Sequence, residues 1–152
     1  SSTSLAIARY LKQHRYLTII TNSLAVSQEM LDAPGAVVVM PGGRLRRDTA
    51  SLVGTDGLEM LRKFHIQMGF FGGHGMTIDA GLTDVSSDEA EVKRPLLAMC
   101  QQVTAVFDSS KWGKVGLVSF AALEQIDLII TDAAPARMTE QVKSFGVELE
   151  LV

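Results

Sequence analysis

Short apolar runs rich in β-branched residues recur along this chain and constrain its fold more than any other feature. They cover Leu17–Ile20 and residues 36–40, 68–71, 103–107, 115–118, 126–130 and 147–149. Most are near-continuous in hydrophobicity rather than alternating. Such runs suit strands buried on both faces, as in a parallel sheet.

Helical patterns lie between several of the runs. Leu5, Ala8 and Leu11 give one apolar face before the first strand. Asn22 or Ser23 can cap a helix running to about Leu31. Leu58, Leu61 and Phe64 mark another. Val92, Leu96, Met99 and Val103 share a helical face, with Ser86 or Ser87 as the cap. Pro95 sits inside that pattern and predicts a kink or a late helix start. Met138, Val142 and Phe145 define the last helix, with Pro135 near its start and Gly146 as the residue just past its end. This alternation predicts an α/β fold: an open, mainly parallel sheet with helices on both faces, forming a single domain over residues 1–152. The chain opens on Ser1-Ser2-Thr3-Ser4 and runs straight into a helix, where an α/β domain would first place a strand. A fragment, or a chain lacking its first strand, is expected.

Composition removes several function classes. Hydrophobic residues make up 47% and charged residues 20%, an ordinary globular balance. The net charge is -3, whereas a free-standing nucleic-acid-binding domain is usually basic. A single cysteine, Cys100, sits in an apolar run, so no disulfide framework is possible and a reducing cytoplasm is expected. No apolar stretch reaches the ~18 residues of a membrane span, and no signal-peptide core follows the first residues.

The chemistry-bearing residues cluster in loops beside the strands. Ser1, Ser2 and Thr3 at a helix start could offer N–H and O–H donors to an anion, or could be a plain cap. Asn22 and Ser23 directly follow a strand, where open α/β sheets bind ligands; helix capping is the alternative. Gly42, Gly43 and Arg44 follow another strand, with Arg46 and Arg47 nearby. Paired glycines allow close backbone approach and guanidinium suits phosphate. A turn leading into a solvated basic loop would look the same. Gly72 and His74 lie in a glycine-rich segment in which the histidine could donate to a ligand or simply face water. Glu89 and Lys93 share one helix face, as an intrahelical ion pair or as a charged pair ordering a ligand loop. Asp108 and Lys111 flank two serines after a strand, offering an acceptor for hydroxyls and a cation for phosphate, or a capped turn. His14, His65 and His74 are scattered, and no zinc spacing, nucleophile elbow or dinucleotide fingerprint occurs. No metal and no cofactor is implied.

These segments occur in a particular order: Thr21-Asn22-Ser23; Pro41-Gly42-Gly43 with Arg46; Gly54; Phe71-Gly72-x-x-Gly75; Gly81-Leu82-Thr83; Glu89-Ala90-x-x-Lys93; Asp108-Ser109-Ser110-Lys111-Trp112-Gly113; and Ile126-Asp127 to Thr131-Asp132. That series resembles the C-terminal effector-sensing domain of DeoR-family bacterial transcription repressors over nearly the whole chain. The resemblance implies a fold similar to the phosphosugar isomerase and CoA-transferase group. It implies binding of a phosphorylated sugar that alters DNA affinity, with DNA read only by a winged helix-turn-helix domain absent here. It also implies a homo-oligomer and no membrane partner. In that family a strand ending in Asp usually precedes the segment matching residues 1–4. His74 stands where the family often has a small or acidic residue, and Pro95 interrupts a helix that is usually continuous. The alternative is a phosphosugar isomerase-like enzyme on the same fold, with Glu89, Asp79 or His74 as its base.

Overall fold

A computed structural model describes all residues, Ser1–Val152. Contacts divide them into two units, Ser1–Phe64 and His65–Val152.

The first unit begins with α1 (Ser2–Leu11), capped by the Ser1 hydroxyl, which accepts from the Ser4 N–H. β1 (Leu17–Ile20) and β2 (Ala36–Val39) pair in parallel, with Leu17 opposite Ala36 and Ile20 opposite Val39. α2 (Leu24–Glu29) and a 3₁₀ turn over Met30–Asp32 connect them. Ser23 caps α2 by accepting from Val26 N–H. Ala8, Val26, Met30 and Ala33 form a small core against Ile19, Ala36 and Val38. Lys12 ties the two helices together, reaching Glu29 at 3.2 Å and Asp32 at 2.7 Å. An antiparallel hairpin follows, β3 (Arg44–Arg46) with β4 (Ser51–Val53), and then a 3₁₀ segment over Asp56–Lys63 that buries Leu58 and Leu61. The basic stretch is therefore half strand: Arg44 and Arg46 belong to β3, and Arg46 grips Asp48 through two hydrogen bonds of 2.8 and 2.9 Å.

The second unit holds a four-stranded parallel sheet in the order β11-β10-β8-β5. Its strands are β5 (Ile66–Phe71), β8 (Cys100–Val106), β10 (Leu128–Thr131) and β11 (Glu148–Leu151). An antiparallel sheet stands beside it in the order β6-β7-β9, made of β6 (Gly75–Thr77), β7 (Gly81–Asp84) and β9 (Val118–Ala121). One core joins Phe71, Val103, Ala105, Phe107 and Ile129 of the parallel strands and their ends to Met76, Leu82, Phe120 and Ala121. The helices α3 (Ser87–Ala98) and α4 (Ala136–Ser144) add Ala90, Leu97 and Val142 to it.

The helix ends follow their sequence signals. Ser86 caps α3 and Asp88 and Glu89 occupy its first turn, where negative charge meets the positive end of the helix dipole. After α4, Gly146 takes φ 78. Gly146 N–H donates to Lys143 and Val147 N–H to Val142, closing a Schellman motif whose two valines are both buried.

The fold is α/β with a mainly parallel four-stranded sheet, as expected. Local corrections are physical. Residues 115–117 are not strand; β9 starts at Val118. The hydroxyl of fully buried Thr83 accepts the Gly116 N–H at 2.7 Å, and that bond takes the preceding stretch out of the sheet ladder. α3 does not start late: it runs from Ser87 through Pro95 to Ala98. Val103 belongs to β8, because the helix ends at Met99 and the strand begins at Cys100. The Cys100 thiol is half-buried, donates to the Leu96 carbonyl at 3.1 Å, and is pushed by burial up to about 11.

Candidate functional site

In the second unit, parallel strands bring their carboxyl ends to one edge. Phe71, Val106 and Thr131 end β5, β8 and β10, so Gly72, Phe107-Asp108 and Asp132 start the segments that follow. In open α/β sheets this edge is where ligands bind. The sequence expectations for Gly72, Asp108 and Lys111 all fall on it.

Lys93 reaches toward this edge from α3. Its ammonium donates to the Gly72 carbonyl at 2.9 Å and to Asp84 Oδ2 at 2.5 Å, and lies 4.8 Å from the centre of the Phe120 ring. The ion pair is well shielded, with side-chain exposures of 21% for Lys93 and 12% for Asp84. Lys93 does not pair with Glu89, as helical spacing alone would suggest. Asp84 ends β7, so the lysine ties the end of β7 to the end of β5. Glu89 is buried in the first turn of α3, with its backbone N–H near the Ser86 hydroxyl at 3.4 Å.

The segment after β8 is tightly organised. Asp108 Oδ1 accepts from Ser110 N–H at 3.0 Å, and Ser110 holds the Asp108 carboxyl below the usual carboxylate range. Asp132 accepts twice from Ser109, at 2.5 Å from the backbone N–H and 3.2 Å from the hydroxyl. The Ser109 N–H is the main reason its carboxyl is also held low. Trp112 Nε1 donates to the Ala133 carbonyl at 2.9 Å, and its ring meets Phe107 edge-on at 5.0 Å. Lys111 makes no ion pair, and its ammonium remains the open cation of this segment.

His74 is exposed, and its backbone N–H donates to the Thr83 carbonyl at 2.8 Å. The glycines around it are needed for packing. A methyl at Gly75 would strike the Lys114 carbonyl, and one at Gly81, where φ is +67, would strike that of Ala121.

In the first unit, the carboxyl ends of β1 and β2 lead into Asn22, Ser23, Gly42 and Gly43. Asn22 exchanges two bonds with β4: Leu52 N–H donates to its carbonyl at 2.8 Å, and its amide donates to the Leu52 carbonyl at 3.0 Å. Gly42, Gly43 and exposed Arg44 line an open depression of about 600 Å³ with Val53, Gly54, Asp56 and Gly57. A side chain at Gly57 would strike the Gly42 backbone, so that pair of glycines sets how closely the two segments approach. At the start of α1, the Ser1 hydroxyl is engaged with Ser4, while the Ser2 and Thr3 side chains make no hydrogen bond within the protein.

Asp84, Asp132 and Gly57 were not among the residues expected from sequence. Each aspartate had a usable signal, a carboxylate closing an apolar strand. Their partners lie 9 and 23 residues away and could not be inferred from spacing. No group of three or more His, Cys, Asp or Glu side chains could hold a metal, and no helix is long and apolar enough to cross a membrane.

Residues 1–133 match a known family model, that of the DeoR C-terminal sensor domain. The chain belongs to this family. Among curated relatives, a putative aga operon transcriptional repressor of Escherichia coli O157:H7 is 32% identical over 152 residues, 99% of this chain and 56% of that protein. The HTH-type transcriptional regulator GolR of Listeria innocua is 35% identical over 132 residues, 87% of this chain and 52% of the relative. The glycerol-3-phosphate regulon repressor of Escherichia coli K12 is 28% identical over 151 residues, 99% of this chain and 60% of the relative. This DeoR-type chain thus spans a little over half the length of the relatives it matches. These relatives are transcription regulators, not enzymes, which removes the isomerase alternative.

Proposed function

We propose that this DeoR-type domain binds a phosphorylated sugar or a related phosphorylated metabolite. In the whole protein, occupancy would change the DNA affinity of a helix-turn-helix domain. The observation that carries the proposal is the strand-end edge of the second unit, where an uncommitted Lys111 ammonium sits beside the hydroxyl-rich segment of residues 108–111. An ammonium supplies a point charge for phosphate, and serine hydroxyls suit a polyol. In the first unit, the uncommitted Ser2 and Thr3 hydroxyls at a helix start and the glycine-lined depression at Arg44 offer the same chemistry. The similarity to a glycerol-3-phosphate regulon repressor supports a phosphorylated effector.

A ligand shifts the regulator only by its differential affinity for two states. Binding is therefore the first measurement. Calorimetric titration should use glycerol 3-phosphate and several hexose 6-phosphates, each against its unphosphorylated counterpart. One phosphorylated compound should bind while its neutral counterpart does not, and Lys111→Ala should weaken that binding at least tenfold. Equal binding of the neutral sugar, or no binding by any phosphorylated compound, overturns the proposal.

A further inference from the structure

Asp132 is not itself one of the candidate ligand residues, yet it organises the segment that carries Lys111. Its carboxylate sits at the end of β10 and takes both donors of Ser109, the backbone N–H and the hydroxyl. The next residue, Ala133, takes the indole N–H of Trp112 through its carbonyl. The segment after β8 is thereby clamped at both ends by the segment after its neighbour β10. Between the clamps lie Ser110 and Lys111. Ser109–Lys111 is one 3₁₀ turn, with Lys111 N–H donating to the Asp108 carbonyl at 3.0 Å. A three-residue turn has too few internal bonds to hold its own shape. The direction of the Lys111 stem therefore depends on the clamp.

We propose that Asp132 is a positioning residue, acting through Ser109 to hold Lys111 where it meets the phosphate of the ligand. This rests on the function proposed above. Losing the clamp leaves the cation in the protein but spreads it over many directions. Binding must then repay the ordering of the turn, and affinity falls.

The same two strands contain a matched control. At the opposite end of β10, Asp127 Oδ2 accepts from the Val103 N–H of β8 at 2.7 Å. Both aspartates thus accept a backbone N–H, Asp127 from within β8 and Asp132 from the turn that follows it, and only Asp132 stands at the carboxyl-end edge. The experiment titrates wild type, Asp132→Ala and Asp127→Ala, which remove the acceptor oxygens outright, with the phosphorylated compound that wild type binds best in the panel above, and records unliganded melting for each. Asp132→Ala should weaken binding at least tenfold. Asp127→Ala should change it less than threefold, even where its melting temperature falls as far or further. Amide exchange at Ser109 and Ser110 should speed up only in Asp132→Ala. Equal affinity loss in the two variants, or retained affinity in Asp132→Ala, overturns the positioning role and leaves the sensing function intact. Absence of binding by wild type overturns both.

Discussion

Replacing Lys93 by methionine should destabilise the second unit by about 3 kcal/mol. The ammonium makes two charge-assisted bonds, to Asp84 at 2.5 Å and to the Gly72 carbonyl at 2.9 Å, each of a type that contributes about 1.5–3 kcal/mol. Removing one partner of a buried pair costs about 3–5 kcal/mol, largely because the other charge is stranded. With 12% of the Asp84 side chain exposed, water can return to the carboxylate, so the expected cost sits at the low end of that range. Asp84→Asn should cost about 2 kcal/mol, since an amide still offers an oxygen to the lysine. The double variant isolates the pair. It should be less destabilised than the sum of the singles by about 1.5–2 kcal/mol, because the second substitution removes a charge the first had already stranded. Urea unfolding followed by circular dichroism, with a shared slope across the four proteins, measures this coupling. A coupling under about 0.5 kcal/mol would refute the reasoning, since that is what a water-screened surface pair gives.

Two glycines with similar backbone angles should respond very differently to alanine. Gly81→Ala, where the methyl would strike the Ala121 carbonyl, should cost about 2–4 kcal/mol, and Gly113→Ala, at φ +77 with open space around it, about 1 kcal/mol; equal losses would mean that the close approach of β7 and β9 is not constraining. Stability should also fall on acidification. The carboxyls of Asp108 and Asp132 are held below their ordinary values, so the stabilisation is complete above about pH 4 and is lost as pH drops through the lower folded-state values. Urea midpoints from pH 7 to pH 3 should decline less steeply in Asp132→Asn than in wild type, and superimposable curves would remove Asp132 from the acid response.

The parallel strands were legible because burial writes itself into composition. Residues 103–106 of β8, buried at every position, offer water no face and carry no charge. Helix ends were legible for a related reason: capping by Ser23 and Ser86 and termination at Gly146 are short-range events between residues a few positions apart. What could not be read was long-range and antiparallel. Arg44-Leu45-Arg46 has no strand signature, yet it pairs with Ser51–Val53 because β4 is itself tied to Asn22. The glycines at 75 and 81 look like loop residues and instead permit a hairpin to pack under neighbouring carbonyls.

The hydrogen-bond inventory also changes the weight of the expected site residues. A polar side chain already bonded within the protein can take a ligand only by giving up that bond, at a cost of about 1–3 kcal/mol if the old partner is left unsatisfied. Asn22 is held by Leu52, Asp108 by Ser110 and Lys93 by Asp84. Their first effect is on the shape of the loops. The Ser2 and Thr3 hydroxyls in the first unit and the Lys111 ammonium in the second carry no such bond, so a ligand proposed for either unit would not have to break one there. Substitutions at these uncommitted positions should therefore lower affinity directly, and substitutions at the committed ones should lower it through the shape of the loops.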